Sequence, residues 1–182
     1  MEQITYRQRE CADNTKISRF LEEQRVGTLG LHSKEYPYAV PVNYVWADGC
    51  IYFHGSGGGK KVCLLAQNPN VVFTVYQEHG TVTDPVPCHA DTAYFSVMLF
   101  GQAERVVDFT EAAGVLQKLL ERFMPGFYQQ KIGPALVEKY RSGVDSLPVT
   151  VYRIRPAQIT AKENNADPGQ LFGHGPHKNH RS

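Results

Sequence analysis

The sequence lacks a charge imbalance. Lys and Arg total 19 against 18 Asp and Glu, a formal net charge of +1 over 182 residues. A general polyanion binder carries a basic surplus, so no nucleic-acid partner is expected and any electrostatic function must be local. Closely spaced cysteines are lacking too. The four stand at Cys11, Cys50, Cys63 and Cys88, with no CxxC pair. That spacing argues against a zinc site or a thioredoxin-like motif, and no metal site is expected. The thiols are read as reduced, in a cytoplasmic protein. No apolar run approaches the ~18 residues of a membrane-spanning helix. The polar N-terminus has no apolar h-region, so it is not read as a signal peptide.

What is present is an ordinary globular composition, 42% hydrophobic and 11% aromatic, at a length that suits one domain. Asp13 to Gln24 predicts a helix capped by Asp13, with Ile17, Phe20 and Leu21 on one face. Short β-branched and aromatic runs follow at Val26–Leu31, Tyr38–Trp46, Cys50–His54 and Val71–Tyr76. Tyr94–Val107 predicts a longer strand or a bent pair of strands, in which Gly101 marks a bulge or barrel corner. Leu147–Ile154 predicts a last strand closed by Pro156. Helices are expected over Lys60–Gln67, from Asp108 (a capping box with Glu111) to Pro125-Gly126, and over Pro134–Tyr140. Many strands with few helices between them predict a mainly β fold, a mostly antiparallel barrel with flanking helices. The domain is expected to end at residue 162. Residues 163–182, rich in Gly, Pro, Asn and His, are expected to form a flexible tail.

One hairpin concentrates the polar chemistry. Asp48-Gly49 between two strand-like runs is a strong turn signal. It sets Ala47 opposite Cys50, Trp46 opposite Ile51 and Tyr44 opposite Phe53 on an apolar face. Continued outward, the register sets Asn43 opposite His54, Val42 opposite Gly55 and Pro41 opposite Ser56. Pro41 cannot donate to a ladder, so it implies an edge, a bulge or a face turned toward a ligand. Next comes Gly55-Ser56-Gly57-Gly58-Gly59-Lys60-Lys61 at a helix start. Glycines admit close backbone approach, and free N–H groups with two ammonium groups favour an anion. This predicts a phosphate cradle. It fits neither the Walker A nor the dinucleotide fingerprint.

Residues 40–75, VPVNYVWADGCIYFHGSGGGKKVCLLAQNPNVVFTV, resemble the FMN-binding split-barrel family related to pyridoxamine 5′-phosphate oxidase. Within it they most resemble the nitroimidazole-resistance branch. Tyr94-Phe95-Ser96-Val97, Phe100-Gly101-Gln102-Ala103 and Ile154 to Lys162 extend the similarity, which spans about Asp13 to Lys162. The resemblance implies a homodimer with FMN at the subunit interface. It implies that Pro41, Val42, Asn43 and Tyr44 lie along the flavin ring, partly through backbone groups. His54, Gly55 and Ser56 would lead toward the phosphate, Lys60 and Lys61 would bind it, and Ser96 and Val97 would approach from a neighbouring strand.

The expected activity is an FMN-dependent reduction of a small organic substrate, with nitroaromatics such as nitroimidazoles among the candidates. No membrane or nucleic-acid partner is expected. The alternative is a non-catalytic flavin-binding sensor or storage protein, or a haem-binding one in which His54 meets the iron. No acid–base pair stands out, so no catalytic residue is assigned. Cys88-His89 is read as a surface loop, and His174, His177 and His180 as a weak metal signal.

Overall fold

The computed structural model describes residues 6–173. After a short 3₁₀ turn, α1 (Asn14–Glu23) leads into β1 (Val26–Leu31), β2 (Tyr38–Ala47) and β3 (Cys50–Ser56). Then come α2 (Lys60–Gln67), β4 (Asn70–Val82), β5 (Asp91–Arg105), α3 (Phe109–Phe123), α4 (Pro134–Lys139) and β6 (Val149–Asn164). Every strand pairing is antiparallel, and the six close into a barrel in the order β1-β2-β3-β6-β5-β4.

The local chemistry explains the element boundaries. The Asp13 carboxylate accepts from the Thr15 and Lys16 amides at 2.9 and 3.1 Å, capping α1. Asp108 caps α3 through the Thr110 amide at 2.7 Å. The expected capping box does not form, because Glu111 is drawn instead to Arg153 at 2.9 Å. Asp48 and Gly49 both adopt positive φ, 53° and 70°, as a two-residue hairpin turn of mirror-image type requires.

Two cores result from the alternation along the strands. Inside the barrel Leu29, Tyr44, Ile51, Phe53, Phe73, Val97, Leu99 and Ile154 are fully buried. α1 stoppers one end, where Phe20 meets Phe95 with ring centroids 4.6 Å apart and Tyr44 donates to the Leu21 carbonyl at 2.8 Å. Outside the barrel, Val45, Cys50, Tyr52 and Val151 pack under Ala112, Ala113, Val115, Leu119 and Val137 of α3 and α4. Arg153 ties this layer together by ion pairs to Glu104 and Glu111, both at 2.9 Å.

Two expectations are corrected by the strand pairings. The β2–β3 register holds from Ala47↔Cys50 to Tyr44↔Phe53 and then stops. Beyond it β2 pairs only with β1, from Val26↔Asn43 to Leu31↔Tyr38, while His54, Gly55 and Ser56 pair with Val151, Thr150 and Val149 of β6. The two strands therefore splay, and Asn43 does not face His54. Second, Pro156 does not end the last strand. The β5–β6 ladder steps past it, from Phe100↔Gln158 to Gly101↔Pro156, and this shift is the bulge expected at Gly101. A Cβ on Gly101 would lie 2.3 Å from the Arg155 carbonyl oxygen, so only glycine fits the crossing. Glu163 and Asn164 complete β6, and Leu171 bridges to Val82 while Thr83 donates to the Gln170 carbonyl at 2.9 Å. His174, His177 and His180 lie outside the described residues.

Candidate functional site

The splay between β2 and β3 makes the site. α2 enters the gap, and its two leading lysines point in different directions. The Lys60 ammonium lies 5.0 Å from the centre of the Tyr38 ring on β2. That of Lys61 lies 5.3 Å from the centre of the Phe53 ring on β3. Lys61 is half-buried at the mouth of the barrel, so tightly against β3 that a Cβ on Gly55 would lie 2.5 Å from its Nζ. Desolvation pushes its pKa below the ordinary lysine value. No carboxylate within salt-bridge distance satisfies it among the described residues. A partly desolvated, unpaired ammonium is a poised anion ligand.

Around it are other unsatisfied donors. The α2 N-terminus, preceded by Gly59 at φ 90°, has no side-chain cap. The Thr150 side chain is opposite Gly55 in the ladder, only 3% exposed, and its hydroxyl has no hydrogen-bond partner. A Cβ on Gly57 would sit 3.2 Å from that hydroxyl. Buried hydroxyls are nearly always paired, so an orphan beside a glycine run suits a ligand oxygen. Thr150 was not found from sequence. The strand was anticipated, but which residue faces Gly55 depends on the β3–β6 pairing.

Strand alternation sends His54 and Ser56 to the opposite face of β3. There they line a pocket of about 420 Å³ with Leu116, Ile132, Val137 and Tyr140. His54 remains open to this space, yet the surrounding protein, and then the Lys61 charge, hold its pKa below the ordinary value. Its imidazole is therefore neutral at pH 7. Ser56 donates to Asp145 at 2.6 Å and accepts from the Gly58 amide at 3.3 Å. Asp145 is a second residue that sequence did not reveal.

The remaining expected residues fall on two other surfaces. Val42, Tyr44 and Val97 point into the barrel. Tyr44 and Val97 are fully buried, which leaves only their backbone to a ligand. Burial also pushes the Tyr44 phenol well above its ordinary pKa. Pro41, Asn43 and Ser96 lie on the outer sheet face, where no helix packs. One cross-strand row there reads Pro41, Thr28, Thr74, Met98, Thr160. Ser96 lies in the adjoining row between Tyr76 and Lys162. Tyr76, Met98 and Phe100 are exposed on this face. Within one chain, then, His54, Gly55, Ser56 and Lys61 gather at the splay, with Lys60 at its β2 side. Pro41, Asn43 and Ser96 share a surface. Among the described residues no cluster of His, Cys, Asp and Glu could hold a metal, and no helix is long and apolar enough to cross a membrane.

The sequence profile of the family described as pyridoxamine 5′-phosphate oxidase matches residues 13–163. No curated protein matches the sequence. Among solved structures, a flavocytochrome from Azotobacter vinelandii superimposes with a TM-score of 0.74 at 20% identity, over 91% of this chain and 73% of that one. An FAD- and haem-binding protein from Mycobacterium smegmatis gives 0.70 at 20% identity, over 87% and 74%. A candidate 5-nitroimidazole antibiotic resistance protein from Bacteroides thetaiotaomicron gives 0.63 at 21% identity, over 84% and 85%.

Proposed function

The chain belongs to the pyridoxamine 5′-phosphate oxidase family, and from that premise we propose that it is an FMN-dependent oxidoreductase that works as a homodimer on a small organic substrate. The observation that carries the reading is the cradle. An unpaired half-buried ammonium, an orphaned buried hydroxyl and an uncapped helix start converge on one glycine run. That donor set fits a single phosphate group.

Lys61, Thr150 and the α2 amides would hold the phosphate, with Lys60 adding charge at the β2 side. Bound flavin supplies hydride or electron transfer at its ring, and the protein supplies placement and electrostatics. The Pro41–Asn43 stretch has no partner on its β3 side, which leaves its backbone groups there available to a planar ring. The outer face carries no charged side chain along the Pro41–Thr160 row, which suits the core of an isologous interface between two copies. A dimer formed there would bring Pro41, Asn43 and Ser96 to the subunit boundary. Neutral His54 opens into an apolar pocket and offers one donor and one acceptor nitrogen to a substrate. A small nitroaromatic suits a lining with so few polar groups.

Purified protein should be yellow and should bind FMN in titration. Lys60→Ala with Lys61→Ala should strip the flavin. NAD(P)H consumption with a nitro compound or a quinone then separates an enzyme from a binding protein. Colourless protein that takes up no FMN would refute the reading. The same His54 pocket favours a second reading, in which the imidazole ligates haem. A Soret band instead of the two-banded flavin spectrum would establish it.

A further inference from the structure

The Ser56 hydroxyl has one proton to donate, and Asp145 takes it. Asp145 belongs to a tight turn laid over the glycine run. Its other carboxylate oxygen accepts from the Leu147 amide at 3.1 Å, and Ser142 and Ser146 close the turn through backbone bonds of 2.9 Å. Ser146 is held at φ 59°, a conformation costly for a residue with a side chain. Gly57 donates to the Pro148 carbonyl at 2.8 Å, and Leu147 packs so closely on Gly58 that a Cβ there would lie 2.6 Å from it. No cation pairs with Asp145 among the described residues. An uncompensated anion thus sits at the one side-chain hydroxyl that the glycine run itself offers.

We propose that residues 142–148 form a strap that Asp145 latches onto the phosphate cradle, and that a phosphate-bearing ligand must take Ser56 from Asp145 to bind fully. This rests on the reading of the glycine run as a phosphate site. The phosphate and the carboxylate compete for one hydroxyl hydrogen and one region of positive potential. Although Ser56 stands on the His54 face of β3, its hydroxyl oxygen lies 3.3 Å from the Gly58 amide and so borders the glycine run. A phosphate oxygen there and the Asp145 carboxylate cannot both accept the Ser56 hydrogen, and two anions sharing a hydroxyl repel each other. Losing the latch frees a turn that already holds Ser146 in an unfavourable conformation. The same strap contributes Ser142 and Pro148 to the wall of the His54 pocket. Its release therefore couples occupation of the cradle on one face of β3 to access on the other.

The test is flavin titration of the full chain, wild type against Asp145→Asn and Asp145→Ala, with FMN, riboflavin and inorganic phosphate as probes. Asp145→Ala, which removes both acceptor and charge, should bind FMN and inorganic phosphate about fivefold more tightly, the size of one modest hydrogen bond at an exposed site, and Asp145→Asn, which keeps an acceptor but loses the charge, should gain less. Riboflavin, which has no phosphate, should bind unchanged. Amides of 142–147 should exchange faster in the FMN-loaded wild type than in the free protein. Equal or weaker FMN binding by both variants, or slower exchange on loading, overturns the strap while leaving the cradle intact. Failure of the wild type to bind either FMN or inorganic phosphate overturns the cradle and the strap together.

Discussion

Replacing Gly55 by alanine should weaken cofactor binding without weakening the fold. Among the described residues the only side chain near the added methyl is Lys61, with Nζ at 2.5 Å and Cε at 3.4 Å. Both belong to the far end of a flexible side chain, so no backbone has to move. The ammonium must retreat by about 1 Å to reach ordinary contact. A hydrogen bond near 2.9 Å stretched by that amount is lost. A bond to a charged group is worth roughly 1.5–3 kcal/mol, or roughly ten- to a hundredfold in affinity. Gly55 has no positive φ. Alanine there should leave stability unchanged or raise it by up to ~1 kcal/mol, because it restricts the unfolded chain. FMN fluorescence titration gives the affinity, and a thermal melt gives the stability. Lys61→Ala should reproduce the loss, and the double variant should lose no more than either single one, since both remove the same contact. Wild-type FMN affinity in Gly55→Ala, or a loss that tracks a fall in melting temperature, would refute the reasoning.

Other perturbations probe the scaffold and the charge. Gly101→Ala drives a methyl against the Arg155 carbonyl, which is backbone and cannot swing aside. It should cost ~2 kcal/mol or more and lower the melting temperature by roughly 4–8 °C. Tyr44→Phe leaves the Leu21 carbonyl without its 2.8 Å partner in a fully buried place. A loss of about 1–2 kcal/mol should appear in urea unfolding with an unchanged m-value. The depressed His54 pKa means that the unfolded chain takes up its proton first as pH falls. Stability should therefore decline as pH drops through about 6.5, and His54→Gln should flatten that part of the pH–stability curve. A variant curve parallel to wild type would contradict it.

The sequence carried the local features well and the long-range ones poorly. Asp13, Asp108 and Asp48-Gly49 each act on neighbours a few residues away, so the caps and the hairpin turn were readable. The register was correct for as long as β2 and β3 remain partners. It failed at Asn43 and His54 because each strand there has a better partner elsewhere, β1 for one and β6 for the other. Nothing in a hairpin's own residues reports such competition. Pro156 misled for a related reason: a proline stops a regular ladder, but the bulge beside Gly101 lets β6 pass it. The glycine run and its lysines were visible as a cluster of types. Their division between the two faces of β3 was readable from alternation alone, yet Thr150 and Asp145 reach the cluster from about ninety residues away in the chain. The strand and helix pattern carried the architecture, and the family resemblance agreed with it; the donors left unsatisfied could be found only in the folded chain.

The short β2–β3 ladder has a dynamic consequence. β5 is paired along Tyr94–Arg105 with β6, whereas β2 and β3 share only the stretch from Tyr44 to Ala47. A barrel closed so unevenly has a seam, and thermal opening should begin there at a lower free energy than global unfolding. The α2 N-terminus lies across the seam with Lys60 against one strand and Lys61 against the other. A ligand gripping that end of α2 would act as a clasp on one of the short joints of the cylinder. Slow amide exchange in β2 would then report cofactor loading from within the wall itself.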